Sequence, residues 1–286
     1  MIGTRSGTET KRIAIQGIKG AFHEIAARKF FGSEIELEEC LSFADLFKSL
    51  DEWRADLGVV AIENTLAGTI LPNYALLRNS NYRIIGEVYL RIEHHLIGLA
   101  GSGMEHLREV YSHPMAIEQC RAFFEAYPHI RLIESRDTAE SARWVSEKED
   151  LGFAAIGSQL AAEHYGLSLL WDNIETNPSN YTRFWVIAEG ERVEQAIQDA
   201  DKASISFIHK HEVGSLAQVL LLLSAHEMNL TKIQSLPIIG QAWKYFFHLD
   251  LEFEDYEQYK RAMSAIAFQV HELKILGEYP RGEKWN

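Results

Sequence analysis

Residues 177–184 read Asn-Pro-Ser-Asn-Tyr-Thr-Arg-Phe and gather amide, hydroxyl, guanidinium and ring chemistry into one short turn. Pro178, Ser179 and Asn180 are turn formers, and the apolar run that begins at Phe184 reads as a strand. A strand start at a sheet edge would hold Thr182 and Arg183 rigidly where a small anion could be gripped. Arg183 offers a planar fork that matches a carboxylate through two hydrogen bonds. Thr182 offers a hydroxyl that can donate or accept. Taken alone, the run is a polar hairpin start with a surface arginine. Its chemical reading gains weight only from the rest of the chain.

The same arrangement recurs elsewhere. Small or polar residues stand where a strand ends and a helix begins: Gly20, then Asn64 and Thr65 with Gly68 and Thr69, then His113, Thr138 and Ser158. A helix N-terminus carries unpaired N–H groups and the positive end of the helix dipole. Several of them converging on one cleft would bind a multiply negative small molecule. Each one alone is more simply an N-cap; repetition favours the cleft. Glu63, at the end of a buried strand, orients its loop or partners a helix cap. His113 binds an anion or caps the helix that follows it.

Composition narrows the partners. The chain has 286 residues, 47% hydrophobic and 24% charged, which is ordinary for a globular protein of about two domains. Its net charge of −13 argues against nucleic acid. Cys40 and Cys120 lie far apart, with neither metal spacing nor a disulfide framework, which fits a reducing cytoplasm. Residues 1–10 are polar and read as a loose tail with no secretory apolar core. No apolar stretch is long enough for a membrane span. The run Gly-Ile-Lys-Gly-Ala-Phe at 17–22 lacks the third glycine of a dinucleotide fingerprint, and no phosphate-loop Gly-Lys-Ser/Thr occurs. His94 and His95 are adjacent on a strand, point to opposite faces and do not make a metal pair.

The elements that must position these residues alternate from Lys11 onward. Strands are expected at 12–17, 34–40 and 57–64, with helices at 21–31, 42–49 and 73–79. Residues 83–101 are β-rich and carry the chain into a second lobe, about 95–170. There strands at 110–113, 130–135 and 153–158 each precede a helix. The fold class is α/β: two lobes with a cleft between them, the periplasmic-binding-protein-like architecture, over residues 11–190. Residues 191–202 read as a polar linker. The module at 203–286 has the order β-α-β-β-α-β of a ferredoxin-like domain.

With the elements in place, the blocks resemble the prephenate dehydratase family along essentially the whole catalytic segment. The resemblance is carried by GIKGAFHEIAA, AIENTLAGTI, SHPMAIEQC, DTAESA, AAIGSQLAAEHYGL and, most diagnostic, NYTRF. The C-terminal module is similar to the ACT domain that accompanies these enzymes and binds phenylalanine. The resemblance implies decarboxylating dehydration of prephenate to phenylpyruvate in phenylalanine biosynthesis, without cofactor. It implies Thr182 as donor to the departing hydroxyl, Arg183 as its electrostatic partner and Phe184 as packing. It implies Gly20, Glu63, Asn64, Thr65, Gly68, Thr69, His113, Thr138, Ser158 and Asn180 around the substrate.

The chain departs from the family pattern in five places, the first being Thr65 where Ser is usual. His23 replaces a Ser or Thr, and Met115 replaces a Gln and is expected to pack. In the ACT-like module Gly214, Ser215, Leu216 and Ala217 stand near the family's Gly-Ala-Leu-Val. Ser235, Leu236 and Pro237 follow Gln234 where Glu-Ser-Arg-Pro is usual, so the two charges are missing. Phenylalanine as allosteric effector and a homodimer or homotetramer formed through the ACT modules are the expected partners. Arogenate dehydratase activity, or a catalytically inactive cytoplasmic amino-acid sensor, are the alternatives.

Overall fold

The computed structural model describes residues 11–209, 212–238, 240–241 and 243–283. The tail expected over 1–10 lies outside the described residues. The chain opens with β1 (Arg12–Gln16), α1 (Phe22–Phe31), β2 (Glu36–Cys40), α2 (Phe43–Asp51), β3 (Leu57–Asn64) and the two-residue β4 (Gly68–Thr69). Next come α3 (Leu71–Arg78), β5 (Arg83–Arg91), β6 (His95–Gly98), β7 (Glu109–Ser112), α4 (Pro114–Phe124), β8 (Arg131–Glu134) and α5 (Thr138–Lys148). They are followed by β9 (Phe153–Gly157), α6 (Gln159–Tyr165), β10 (Ser168–Trp171), β11 (Tyr181–Ala188) and α7 (Glu191–Gln198). The last elements are β12 (Lys202–His209), α8 (Ser215–Ala225), β13 (Asn229–Pro237), β14 (Tyr245–Glu252), α9 (Tyr256–Ala267) and β15 (Val270–Tyr279). Helix α7 falls inside the segment expected to be linker.

These elements form two compact units, one of residues 11–69 and 89–184, the other of 70–88 and 185–283. The first holds two α/β lobes. In one lobe β1 pairs in parallel with β2 and β3, and β11 adjoins β3. Ile13, Ile15, Leu57 and Val59 are fully buried, as parallel strands covered on both faces require. Ser42 starts α2 by accepting from Asp45 N. The other lobe is the sheet β10-β6-β9-β7-β8. One of its cores is Leu96, Val110, Ile117, Cys120 and Ile156; another is Ile97, Ala139, Ala142 and Ala155. Asp137 caps α5 and Ser158 caps α6.

The second unit has the antiparallel order β13-β14-β12-β15, with β5 beside β15. Alternation along β12 and β14 sends Ile205, Phe207, Leu249 and Leu251 into one core with Val219 and Leu223 of α8 and Ile266 of α9. Ser204, Ser206, His248 and Asp250, on the alternate positions, are nevertheless fully buried. They are reconciled by hydrogen bonding: Ser204 Oγ donates to Asp250 Oδ1 at 2.6 Å, and His248 Nε2 lies 2.8 Å from the same oxygen. No helix among the described residues is long and apolar enough to cross a membrane.

Candidate active site

Strand alternation sorts the diagnostic run first. Thr182 and Arg183 are neighbours in β11 and therefore point to opposite faces of the sheet. Thr182, 8% exposed, meets Asn64; Arg183, 4% exposed, meets Glu63. Asn64 and Glu63 are themselves neighbours at the end of β3, so the two pairs lie on two faces. β11 is an interior strand between β5 and β3, not the sheet edge the turn chemistry suggests.

On the Thr182 face the hydrogen bonds form a chain whose polarity can be read. Asn64 Oδ1 accepts from Leu66 N and Ala67 N at 2.9 and 2.8 Å, which fixes the amide orientation. Its Nδ2 then donates to Asn180 Oδ1 at 2.7 Å and to Thr182 Oγ1 at 3.0 Å. Asn180 Nδ2 donates to Gln119 Oε1 at 2.9 Å, and His94 Nε2 lies 2.8 Å from that oxygen. Burial pushes the His94 imidazole below its ordinary pKa. As a neutral ring it carries its proton on Nε2 and donates. Because Thr182 Oγ1 accepts from Asn64, its own O–H proton is directed elsewhere and can be given to a ligand. Asn180 is fully buried and both ends of its amide are used. Its amide is therefore committed to Asn64 and Gln119.

Arg183 lies 3.2 Å from Glu63 Oε1, and its guanidinium lies 5.8 Å from the Tyr89 ring centroid. Its fork is thus engaged by Glu63 instead of standing open for a ligand carboxylate. Phe184 returns to the Thr182 face, fully buried against the His23 ring with centroids 5.0 Å apart. Thr65 Oγ1 donates to Ser179 O at 2.8 Å and accepts from Tyr181 N at 2.9 Å. Both its bonds tie the Asn64 loop to the 177–184 loop. Gly68 and Thr69 fold back as β4 opposite Asn64 and Glu63.

Three of the expected helix N-termini do meet. A Cβ on Gly20 would lie 2.7 Å from Ala161 Cα, and Gly20 has φ +89, so only glycine fits between α1 and α6. Ser158 Oγ donates to Gly20 O at 2.6 Å. A Cβ on Gly17 would lie 3.2 Å from Asp137 Oδ2. Burial raises the Asp137 carboxyl above its ordinary value. Thr138 is the first residue of α5, and Asp137 supplies its cap. His113 resolves as a cap, its Nδ1 accepting from Met115 N at 3.2 Å. Met115 is 42% exposed, contrary to the packing role expected, because the first turn of α4 turns it outward. Gly20 and Ser158 are buried at the junction of the lobes, where they join α1 to α6.

Sequence reasoning misses Gln119, His94 and Glu24. Gln119 carries a readable signal: it is a polar residue between Ala116 and Cys120 on the buried face of α4. Glu24 is fully buried and binds Gly20 N at 2.6 Å, Arg28 Nε at 2.7 Å and His164 Nε2 at 3.0 Å. Burial alone would raise its carboxyl, but Gly20, Arg28 and His164 together hold it below the ordinary value. Its contribution to stability is present above pH 4.5 and is lost as the pH falls below that.

His23 gives a separate prediction. Burial pushes its imidazole from 6.5 down to about 3, so the native ring stays neutral where the unfolded chain takes up a proton. Stability is therefore lost as the pH falls from 6.5 toward 3. Between pH 7 and 5 the loss from this one group is about 2 kcal/mol. Denaturant titrations should show that slope shallower by this amount in His23→Gln. Equal slopes would mean that His23 is not held neutral.

The sequence profile of the prephenate dehydratase family matches residues 13–192. The chain belongs to the prephenate dehydratase family. A bifunctional chorismate mutase/prephenate dehydratase of Aquifex aeolicus (strain VF5) is 36% identical over 272 residues, which is 94% of this chain and 74% of the relative. The solved prephenate dehydratase of Arthrobacter aurescens in complex with L-Phe superposes with a TM-score of 0.83 at 25% identity, over 94% of this chain and 90% of that one. GqqA, described as a novel type of quorum-quenching acylase, superposes with a TM-score of 0.85 at 29% identity, over 95% of this chain and 98% of that one. As a member of the prephenate dehydratase family, this enzyme converts prephenate to phenylpyruvate, with loss of carbon dioxide and water.

Proposed function

We propose that the Thr182 face of β11 carries out this reaction. The supporting observation is the donation from Asn64 Nδ2 to Thr182 Oγ1 at 3.0 Å. Prephenate breaks two bonds, ring carbon to carboxylate and ring carbon to hydroxyl. The electron pair of the first enters the ring, carbon dioxide departs, and the second bond expels hydroxide, which needs one proton to leave as water. Thr182 points a proton outward to share with that oxygen. As it does so, negative charge grows on Oγ1, where the Asn64 N–H already points. The group is a weak acid, so a strong hydrogen bond in the transition state, not prior transfer, is its role. Aromatisation supplies the driving force. Gln119, with Oε1 occupied by Asn180 and His94, turns its Nε2 donors away from the network and is the further donor proposed for a substrate oxygen. Arg183, engaged by Glu63, braces the strand that presents Thr182.

Phenylpyruvate formation measured on wild type and Asn64→Ala tests this assignment. Asn64 donates to Thr182 Oγ1 and reaches the leaving oxygen only through it, so loss of this neutral hydrogen bond should cost about 1.5 kcal/mol, roughly tenfold in kcat, less than loss of Thr182 itself. An unchanged kcat would remove Asn64 from the mechanism. Acyl transfer is not favoured here. It needs a nucleophile activated by a base, whereas Thr182 Oγ1 accepts from an amide, and burial raises the Cys40 and Cys120 thiols.

Catalysis is assigned to residues 11–190 and effector binding to 203–286, joined by 191–202. Phenylalanine is the proposed effector. Gly214 has φ +81 and opens α8 without a side-chain cap, leaving backbone N–H groups for a carboxylate. Ser215 and Leu236 are buried, and Ser235, Ala217 and Pro237 are exposed, so the exposed three could meet a second copy in a dimer or tetramer. Calorimetric titration with phenylalanine should give saturable heat; a flat isotherm would sink the regulatory reading. A cytoplasmic location is proposed from the reaction.

A further inference from the structure

The second unit contains a cavity of about 250 Å³ lined by residues of α3, β12, β13, β14 and β15. Arg78, at the end of α3, is 5% exposed and forms one wall. Its guanidinium lies 5.0 Å from the Phe246 ring centroid, donates to Ser206 Oγ, and meets Glu272 Oε2 at 3.1 Å. Lys274 also lines the cavity and donates to Arg78 O at 2.9 Å. Ala75, Ile208 and Pro237 supply apolar wall.

The carboxylate already on Arg78 is held in an unusual way. Glu272 sits at φ +48, in the left-handed region, where β15 slips register against β12 between Ser206 and Ile208. Such a backbone is strained for a residue other than glycine, and the Glu272 side chain is 65% exposed. A side chain that is mostly in water can swing away if an arriving carboxylate keeps the buried guanidinium paired. The cavity would then keep two cations and no carboxylate of its own.

We propose that this cavity is a binding site for a small monocarboxylate with a compact apolar group, whose carboxylate replaces Glu272 on Arg78. Glu272 is the one carboxylate among the described lining residues, so once it is displaced a ligand ammonium has no anionic partner there, and the site favours acids without an amino group over zwitterionic amino acids. It is thereby distinct from the phenylalanine site proposed above and independent of the reaction assigned to the first unit.

The test is calorimetric titration of the full chain with sodium 3-phenylpropionate. Wild type should bind. Glu272→Gln, which removes the internal competitor, should bind at least threefold tighter, and Arg78→Met at least tenfold more weakly. Should Arg78→Met fail to fold, Lys274→Met takes its place and should weaken binding while Glu272→Gln strengthens it. Phenylalanine binding should be unchanged in all three variants. No binding by wild type, or no tightening in Glu272→Gln, overturns the proposal. So does a loss of phenylalanine binding in Arg78→Met, which would make the cavity part of an amino-acid site.

Discussion

Thr182→Ala is expected to lower kcat for phenylpyruvate formation by about 10²–10³, the usual cost of deleting one preorganised hydrogen bond to developing charge. KM should change little, because the proton is shared with the leaving oxygen only as the bond breaks. The structure makes the experiment clean. Thr182 lies in an interior strand between residues whose packing the substitution does not touch, and Phe184 keeps its contact with His23. One side effect is predictable: Asn64 Nδ2 loses an acceptor, although its bond to Asn180 Oδ1 at 2.7 Å remains. Thr182→Ser separates hydroxyl chemistry from packing. It restores the oxygen and should return kcat to within about tenfold of wild type, a smaller deficit than losing the whole bond. If Thr182→Ala keeps a third or more of wild-type kcat, the proton comes from another group and the polarity read from the Asn64 chain has no catalytic meaning.

Strand alternation separates Thr182 from Arg183, so the two faces of the Thr-Arg-Phe run lie within reach of the sequence; His94, expected on a strand with His95, instead precedes β6. What lies beyond the sequence is the partner of Thr182 and of Arg183. Asn64 and Thr182 are 118 positions apart, and no periodicity links residues across that distance; only the placement of β11 beside β3 does. The strands and helices that chemistry needed were legible because their patterns are strong. Residues 57–62 form a continuous buried run, and Ser42, Asp137 and Ser158 cap the helices they precede. Three elements were not legible. β4 has only two residues, and Gly68 and Thr69 read as loop. β10 is only four residues long. α7 has no buried residue and a composition that reads as solvent-facing linker, although Val193 and Ile197 stand at helical spacing. The inclusion of 70–88 in the second compact unit also escapes a reading made along the chain, since α3 continues directly from the Asn64 loop.

Lys202→Met is expected to destabilise the second unit by about 3–5 kcal/mol, the cost of stranding a buried charge. Lys202 begins β12 and is 1% exposed; its Nζ donates to Glu87 Oε1 at 2.8 Å and lies 3.7 Å from Glu252 Oε1. Glu87 has a fully buried side chain, and the Gly282 N–H adds a bond to Oε1 at 3.1 Å. Removing the cation takes the counter-charge away from that buried carboxylate and brings its repulsion from Glu252 into play. The large loss in the single variant does not mean that the ion pair itself stabilises by that amount. Desolvation of both charges offsets most of their attraction, so Lys202→Met with Glu87→Leu should recover most of the loss. Urea titration reports this as a midpoint that falls in the single variant and returns in the double one, with the slope unchanged. A double variant no more stable than Lys202→Met would show that the lysine stem packs against its neighbours and that the charge is incidental. Recovery would show instead that the charge pair, which links β12 to β5 across the intervening β15, adds little net stability because burial of both charges offsets their attraction.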